Sequence, residues 1–395
     1  MTAAEKPRIP RTVWALGLVS LFMDVSSEMI HALLPLFLTT VVGTSVAMVG
    51  VIDGIAEATA AIVKVFSGYV SDLIGRRRPL ILLGYGLGAA SKPLFALAAS
   101  AVPVLAARFV DRIGKGLRGA PRDALVADVT PAELRGRAYG LRQALDTVGA
   151  FLGPLLGIML MMLYAGDMRA VFWWAVVPGA LAVLLVVLGV RDAPEQAGGP
   201  ARSIPLNRSA LGALPKAFWA VTGLGMAFTM ARFSEAFLVL RAHEEGLPIA
   251  LAPLVLIAMN LVYSLGAYPA GELSDRFGTG GLLALSLVAL VAADLLLGLG
   301  GGLAASFAGF ALWGLHMALS QGLLAQLVAQ SAPATLRATA FGLFNLASGV
   351  TMLAASLLAG LLWDAAGSQA TFLAGAGFAV LAAALLAAQR RKPTQ

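Results

Sequence analysis

The sequence contains no cysteine, which excludes disulfides, thiolate metal sites and cysteine nucleophiles. Charge is scarce too. Only 12% of the 395 residues are Asp, Glu, Lys or Arg, about half the roughly 25% of a soluble globular chain. So few ions could not cover a water-exposed surface of this size. Nucleotide and zinc-hydrolase motifs are missing as well. Gly114-Lys115 lacks the following Ser/Thr and the upstream glycine of a phosphate-binding loop, and His243-Glu244-Glu245 lacks a second histidine. No nucleophile, base and orienting acid come together, so neither enzyme activity, a bound cofactor nor ATP-driven transport by this chain alone is expected.

What is present is apolar: 59% of residues are hydrophobic, in stretches near the roughly 20 residues that cross about 30 Å of hydrocarbon. One span plus its connection takes about 33 residues, so the length accommodates roughly twelve spans. The chain reads as an all-α polytopic membrane protein. Hydropathy places spans at 13–40, 46–70, 79–100, 102–125, 138–163 and 169–190, then 216–241, 249–271, 280–299, 303–330, 337–362 and 367–388. Basic Lys6, Arg8 and Arg11 before an apolar run imitate a secretion signal. That run is too long for one and carries Asp24 and Glu28, so it reads as a retained first helix. The expected organisation is a tail at 1–12, a six-helix bundle at 13–190, a Pro- and Gly-bearing linker at 191–215, a second six-helix bundle at 216–388 and a tail at 389–395.

Nineteen Lys and Arg residues, among them Arg76, Arg77, Arg78, Arg135 and Arg337, fall on the side of the amino terminus, against Arg169 and Arg241 on the other. This bias predicts both termini in the cytoplasm of a cell-membrane (inner-membrane if bacterial) protein. It also accounts for the net charge of +7 without a nucleic-acid partner. Two segments repeat. Gly68-x-x-Ser71-Asp72-x-x-Gly75 recurs as Gly271-x-x-Ser274-Asp275-x-x-Gly278, an offset of 203. Pro131-Ala132-x-Leu134-Arg135-x-x-Ala138-x-Gly140-Leu141 recurs from Pro333 at an offset of 202. Offsets near half the chain mark a tandem duplication of six helices, the trace of a two-bundle transporter.

On these residues the chain resembles the major facilitator superfamily over essentially its whole length. Gly68-x-x-Ser71-Asp72-x-x-Gly75-Arg76-Arg77-Arg78 is similar to that family's diagnostic loop, departing from it at Leu73. The resemblance implies a conformational latch on the cytoplasmic side, with gating roles for Gly68, Asp72, Gly75, Arg76 and Asp275. Gly149-x-x-x-Gly153-Pro154-x-x-Gly157 looks like the family's antiporter signature, with Ile158 in place of its last glycine. Glycines four apart let another helix approach, and Pro154 bends the segment. Arg112-x-x-x-Gly116 is similar to the family's proton-transfer signature, Lys115 replacing its usual glutamine. The resemblance also implies that the first, fourth, seventh and tenth spans line a midplane cavity between the bundles. It thereby nominates Asp24, Glu28, His31, Arg108, Arg112, Lys115, Arg232, Glu235, His316 and Gln321.

Charge placed inside spans is the mechanistic signal. Asp24, Glu28 and His31 share one face of the first span, and Asp53, Glu57 and Lys64 one face of the second. The fourth adds Arg108, Asp111, Arg112 and Lys115. At about 3 kcal/mol each, the nine formal charges would cost roughly 27 kcal/mol facing lipid, so they must face a polar cavity and pair. Asp24 and Glu28 are expected to carry protons, with Arg112 modulating them. A static ion-pair network is the competing reading, and Asp53 and Glu57 stay open between the two. With Asp24 and Glu28, His31 could form a facial metal site, although no metal is expected. Arg142 and Asp146 read as a structural pair, and Asp294 stands isolated in its span. The Gly84-x-Gly86-x-Gly88 run imitates a dinucleotide fingerprint but lies within a span, so helix packing explains it.

The expectation is a twelve-helix transporter of two pseudo-symmetric bundles, a monomer in the lipid bilayer, exporting a small organic solute against protons. The alternatives are a proton-coupled importer of a metabolite or siderophore, a divalent-metal exporter, and a non-transporting membrane receptor.

Overall fold

The computed structural model describes residues 9–131, 134–192, 212–333 and 336–390. Most of the expected linker and both extreme tails lie outside these. The helices are α1 Arg11–His31, α2 Val46–Ile74, α3 Arg78–Leu97, α4 Ala101–Val129, α5 Arg135–Leu163 and α6 Met168–Gly189. There follow α7 Lys216–Ala231, α8 Ala236–Glu244, α9 Leu254–Phe277, α10 Thr279–Leu299, α11 Leu303–Ser331 and α12 Arg337–Arg390. Among the described residues, ten helical stretches are long and apolar enough to cross a membrane. α4 is not among them because its charges depress its hydropathy. α12, at 54 residues, would run about 80 Å as one rod, but Gly367 breaks it with φ 82°.

The duplication is visible in the backbone. Gly75 and Gly278, 203 positions apart, both adopt positive φ (69° and 77°) where α2 and α9 end, a conformation that glycine accepts without a Cβ clash. α4 and α11 are each 29 residues long and start and stop 202 positions apart. Helix starts are set by local chemistry. Asp192 Oδ1 accepts from the amides of Arg77 and Arg78 (2.9 and 2.8 Å) where α3 begins, and Asp167 caps α6 through the Arg169 amide (2.9 Å).

Two compact units emerge, 1–31 with 62–204, and 32–61 with 205–395. α2 is therefore shared: its first half, bearing Asp53 and Glu57, groups with the second unit, and Lys64 with the first. In the first unit α1 packs on α5 and α6, and α3 on α4 and α6. Its core joins Val13, Leu16, Val19 and Met23 of α1 to Ile81 and Tyr85 of α3 and Leu125 of α4. In the second unit α10 packs on α11 and α12, and α7 on α12. There Asp364 accepts from the Val46 and Ala47 amides (3.0 and 2.9 Å) and so caps α2. Outward surfaces are apolar: Trp173, Trp174, Leu181 and Leu188 of α6 and Leu265 of α9 are exposed. A soluble protein does not display so much apolar area, whereas a bilayer covers it.

Candidate functional site

In the first unit the site begins on α1. The helix stops at His31, and a one-turn helix at Leu34–Leu36 and a π-helical turn at Phe37–Val41 continue the span. The span expected at 13–40 is thus one apolar helical stretch, Arg11–Val41, with its regular α-helix interrupted after His31. The break follows from Pro35, which cannot donate its amide to a continuing ladder. Asp24, Glu28 and His31 lie half-buried on the stretch before the break, and His31 Nδ1 is 3.7 Å from Glu28 Oε2. α5 lies against this face. A methyl added at Gly149 would lie 2.6 Å from the Leu21 carbonyl oxygen and 3.0 Å from Asp24 Cβ. One added at Gly153 would lie 2.8 Å from Glu28 Cβ and 2.9 Å from the Val25 carbonyl oxygen. The glycine ladder thus seats α5 on the two turns of α1 that carry the carboxyls. Pro154 and Gly157 are buried on the same helix.

α4 supplies the cations. Arg108, Asp111, Arg112 and Arg118 are buried, whereas Lys115 is exposed. Asp111 is held by Lys92 of α3, whose ammonium donates to Asp111 Oδ1 (2.8 Å) and Ser27 Oγ (3.0 Å), and Arg112 Nε lies 3.6 Å from Asp111 Oδ2. With side chains 2% and 5% exposed, Lys92 and Asp111 form a closed pair. Arg118 stacks over the Tyr85 ring at 4.6 Å. It fits because Gly84 and Gly88 carry no side chain, a methyl at either falling within about 3 Å of Arg118 atoms. Helix packing is therefore what the glycine run of α3 does. One turn on, Arg122 donates to Ser20 Oγ (2.9 Å) and lies 3.8 Å from Asp146, which Arg142 holds at 2.6 Å. The unit contains a sealed ion network beside a face where Asp24, Glu28, His31 and Lys115 keep accessible surface.

The latch residues lie at one end of this unit. Gly68 lies close to Ala120, and Gly75 and Arg76 are exposed. Arg77 ties the segment together, reaching Ser71 Oγ (2.9 Å) and Asp128 (3.3 Å). The side chains of Asp72 and Asp275 lie outside the described residues.

In the second unit the seventh span is broken. α7 ends at Ala231, α8 starts at Ala236, and Arg232, Phe233, Ser234 and Glu235 fill the gap. The span expected at 216–241 lies within the apolar helical stretch Lys216–Glu244, interrupted at these four residues. Ser234 replaces the lost ladder bonds: its amide donates to Ser356 Oγ (3.2 Å), its hydroxyl donates to Asp53 Oδ2 (2.7 Å) and accepts from the Ala236 amide (3.2 Å). Asp53 is thereby tied to this break. His316 is 1% exposed. Its Nδ1 meets the Ser286 carbonyl (2.9 Å) and its ring stacks on Phe228, which makes it a tie between α11 and α10. Gln321 accepts from the Tyr263 hydroxyl (3.2 Å). Among the described residues no three His, Asp or Glu side chains are placed to hold a metal ion, so Asp24, Glu28 and His31 do not close into a facial site.

Sequence reasoning passed over Lys92, Tyr85 and Ser20. Lys92 had a signal of its own as the one charge inside the otherwise apolar run 79–97.

Duplicated helical units, apolar outer surfaces, helices broken at polar residues and ionisable groups sealed inside together define a secondary transporter. The sequence profile of the Major Facilitator Superfamily matches residues 16–350 and 239–395. The chain belongs to that superfamily and is a multi-pass membrane transporter. An uncharacterized MFS-type transporter of Methanocaldococcus jannaschii is 32% identical over 384 residues, covering 96% of this chain and 94% of that one. The multidrug resistance protein MdtH of Aeromonas hydrophila is 30% identical over 189 residues, 47% of each chain. Among solved structures, a bacterial homolog of the human lysosomal transporter Spinster, inward-facing and unoccupied, matches with a TM-score of 0.77. It shows 19% identity and covers 99% of this chain and 100% of that one.

Proposed function

We propose that the protein exports a small organic solute in exchange for protons, working by alternating access as a monomer. In this reading twelve spans cross the cell membrane with both termini in the cytoplasm, in two six-helix halves, and Asp24 and Glu28 carry the protons. The observation that supports it most directly is the seating of the two carboxyls against Gly149 and Gly153. The groups that would titrate sit where glycines of α5 let it approach the backbone of α1 closely. Lys115, Arg112 and Arg108 supply cations on the neighbouring helix, and movement of a cation away from a carboxyl favours its protonation. Arg232, Glu235 and Gln321 are the matching polar groups of the second unit and are assigned to the solute. The partial likeness to MdtH points to efflux, and the polar lining favours substrates with a polar or charged group.

The test is transport in proteoliposomes that contain pyranine as an internal pH reporter, with ethidium as the probe solute under an imposed pH gradient. Exchange predicts that ethidium accumulates in acidic-inside vesicles as protons leave. It also predicts that Asp24→Asn with Glu28→Gln abolishes gradient-driven accumulation while the protein still folds. Ethidium moving in the direction of proton flow would establish symport and overturn the proposal, as would full accumulation by the double variant.

A further inference from the structure

The two halves of the chain can be laid over one another by residue number. α4 and α11 begin and end 202 positions apart, and α3 and α10 end at Leu97 and Leu299, also 202 apart. At that offset Lys92 falls on Asp294 and Asp111 on Trp313. The closed ion pair of the first unit therefore has a counterpart in which the ammonium is replaced by a carboxyl and the carboxylate by an indole. The helices concerned pack on each other in both units, α3 on α4 and α10 on α11.

Asp294 is 0% exposed and so is Trp313. Both carboxyl oxygens of Asp294 and the indole Nε1 of Trp313 lack a hydrogen-bond partner. An orphaned acceptor and an orphaned donor thus stand at the two positions whose duplicates make a 2.8 Å bond. Charged neighbours are engaged elsewhere. From α8, Arg241 donates to the carbonyls of Leu297 and Gly300 and is neutralised by Glu244 and Glu245. From α11, His316 is held at Ser286, two turns before Asp294. From α9, Tyr263 is bonded to Gln321 and Glu272 to Tyr268. α12 presents Gly375, and its Asp364 is spent on the start of α2.

We propose that Asp294 is a proton-binding site of the second unit, separate from Asp24 and Glu28, gated by Phe233 at the break between α7 and α8. An isolated ionised carboxylate in such a shell is too costly to persist, so the group is held as the neutral acid. The ligand is a proton because nothing larger fits. A methyl at Gly375 would already lie 2.8 Å from Asp294 Oδ2 and 3.0 Å from Phe233 Cε1. The cover is aromatic carbon, with Phe233 against Trp313 (ring centroids 5.4 Å) and Phe372 (5.5 Å), and it offers none of the oxygens that a metal cation needs. Phe233 belongs to the non-helical Arg232–Glu235 segment, so a rearrangement there uncovers the carboxyl and lets the proton leave. Trp313 Nε1 is then the donor that receives the carboxylate. That this proton joins the transport cycle rests on the exchange reading above. That it is bound at Asp294 does not.

Infrared spectroscopy of the full-length protein in lipid, with 13C-labelled aspartate to assign bands, tests the site directly. A protonated aspartic acid carbonyl band is expected at pH 7. It should disappear in Asp294→Asn, persist in Asp24→Asn, and shift in Trp313→Phe on raising the pH. Asp294→Leu, which asks for no partner, is the second variant should the asparagine fail to fold. A wild-type protein without any protonated aspartate band at pH 7 overturns the proposal, and so does a band unchanged in Asp294→Asn or Asp294→Leu. Pyranine-reported proton movement on adding ethidium separates the two claims. Its absence in wild type with the band intact removes proton exchange and leaves the site standing.

Discussion

Substituting either partner of the Lys92–Asp111 pair should destabilise the first unit, and by unequal amounts. Lys92 Nζ lies 2.8 Å from Asp111 and Arg112 Nε 3.6 Å. At an effective dielectric of about 20, these attractions are worth about 6 and about 5 kcal/mol before desolvation. Lys92→Met removes the first and leaves Asp111 with Arg112. Asp111→Asn removes both charge attractions and leaves the ammonium with neutral partners only, Ser27 and the new amide oxygen, beside buried Arg108 and Arg112. Breaking a buried pair costs about 3 to 5 kcal/mol net, which puts Lys92→Met near about 3 and Asp111→Asn near about 5. For a unit of this size each kcal/mol lowers the melting temperature by roughly 2 to 4 °C. The drops expected are therefore about 6 to 12 °C and about 10 to 20 °C, read from tryptophan fluorescence melts in lipid–detergent micelles. The double variant Lys92→Met, Asp111→Leu should recover part of the loss, since it leaves fewer unpaired charges than Asp111→Asn alone. Equal costs, or a larger cost for Lys92→Met, would refute this account of how the charges are balanced.

Gly153→Ala should cost about 1 to 3 kcal/mol by overpacking and depress transport, because its methyl has no room beside Glu28 and Val25. Gly86→Ala, with nothing within 4 Å of the new atom, should instead stabilise by about 0.5 to 1 kcal/mol through helix propensity. Paired thermal melts and ethidium flux check both. Asp364→Asn weakens the cap on α2 and should cost about 0.5 to 2 kcal/mol, visible as faster hydrogen exchange at the Val46 and Ala47 amides. Unchanged exchange there would show that the cap contributes little.

The spans were legible because a bilayer imposes one simple rule, an apolar run of fixed length, and eight of the helices need nothing subtler. The breaks were not all legible. Hydropathy over 216–241 is continuous, with neither glycine nor proline between Ala231 and Ala236. The interruption is held by Ser234, whose partners Asp53 and Ser356 are remote in sequence. The division of α2 was hidden too: Asp53, Glu57 and Lys64 share one helical face, yet the halves of α2 belong to different units. The seating of α5 on α1 was more legible, because Asp24 and Glu28 stand out by their spacing and the glycine ladder of α5 that lies against them has a recognisable pattern. Lys92 and Asp294 could have been related from the offset of 202, but each alone is only a single charge in an apolar run.

The duplication also weighs on whether the charges of α4 are structural. Counted at 202, Arg108, Asp111, Arg112, Lys115, Arg118 and Arg122 fall on Phe310, Trp313, Gly314, Met317, Ser320 and Leu324. The second copy has lost every one of these charges and still forms a helix of the same 29 residues, packed through Phe310 and Trp313 at 0% exposure. Gly314 even lets α9 approach where Arg112 stands in the first copy. An uncharged solution for this helix therefore exists within the same chain. Hydrophobic replacement of buried ion pairs is often neutral or stabilising, and each charge inside a bilayer carries a cost of about 3 kcal/mol. Packing alone gives no reason to keep six charges on α4 when its duplicate needs none. What the charged copy has and the uncharged one lacks is a cationic helix beside accessible carboxyls, and the proposed exchange is the use we assign to it.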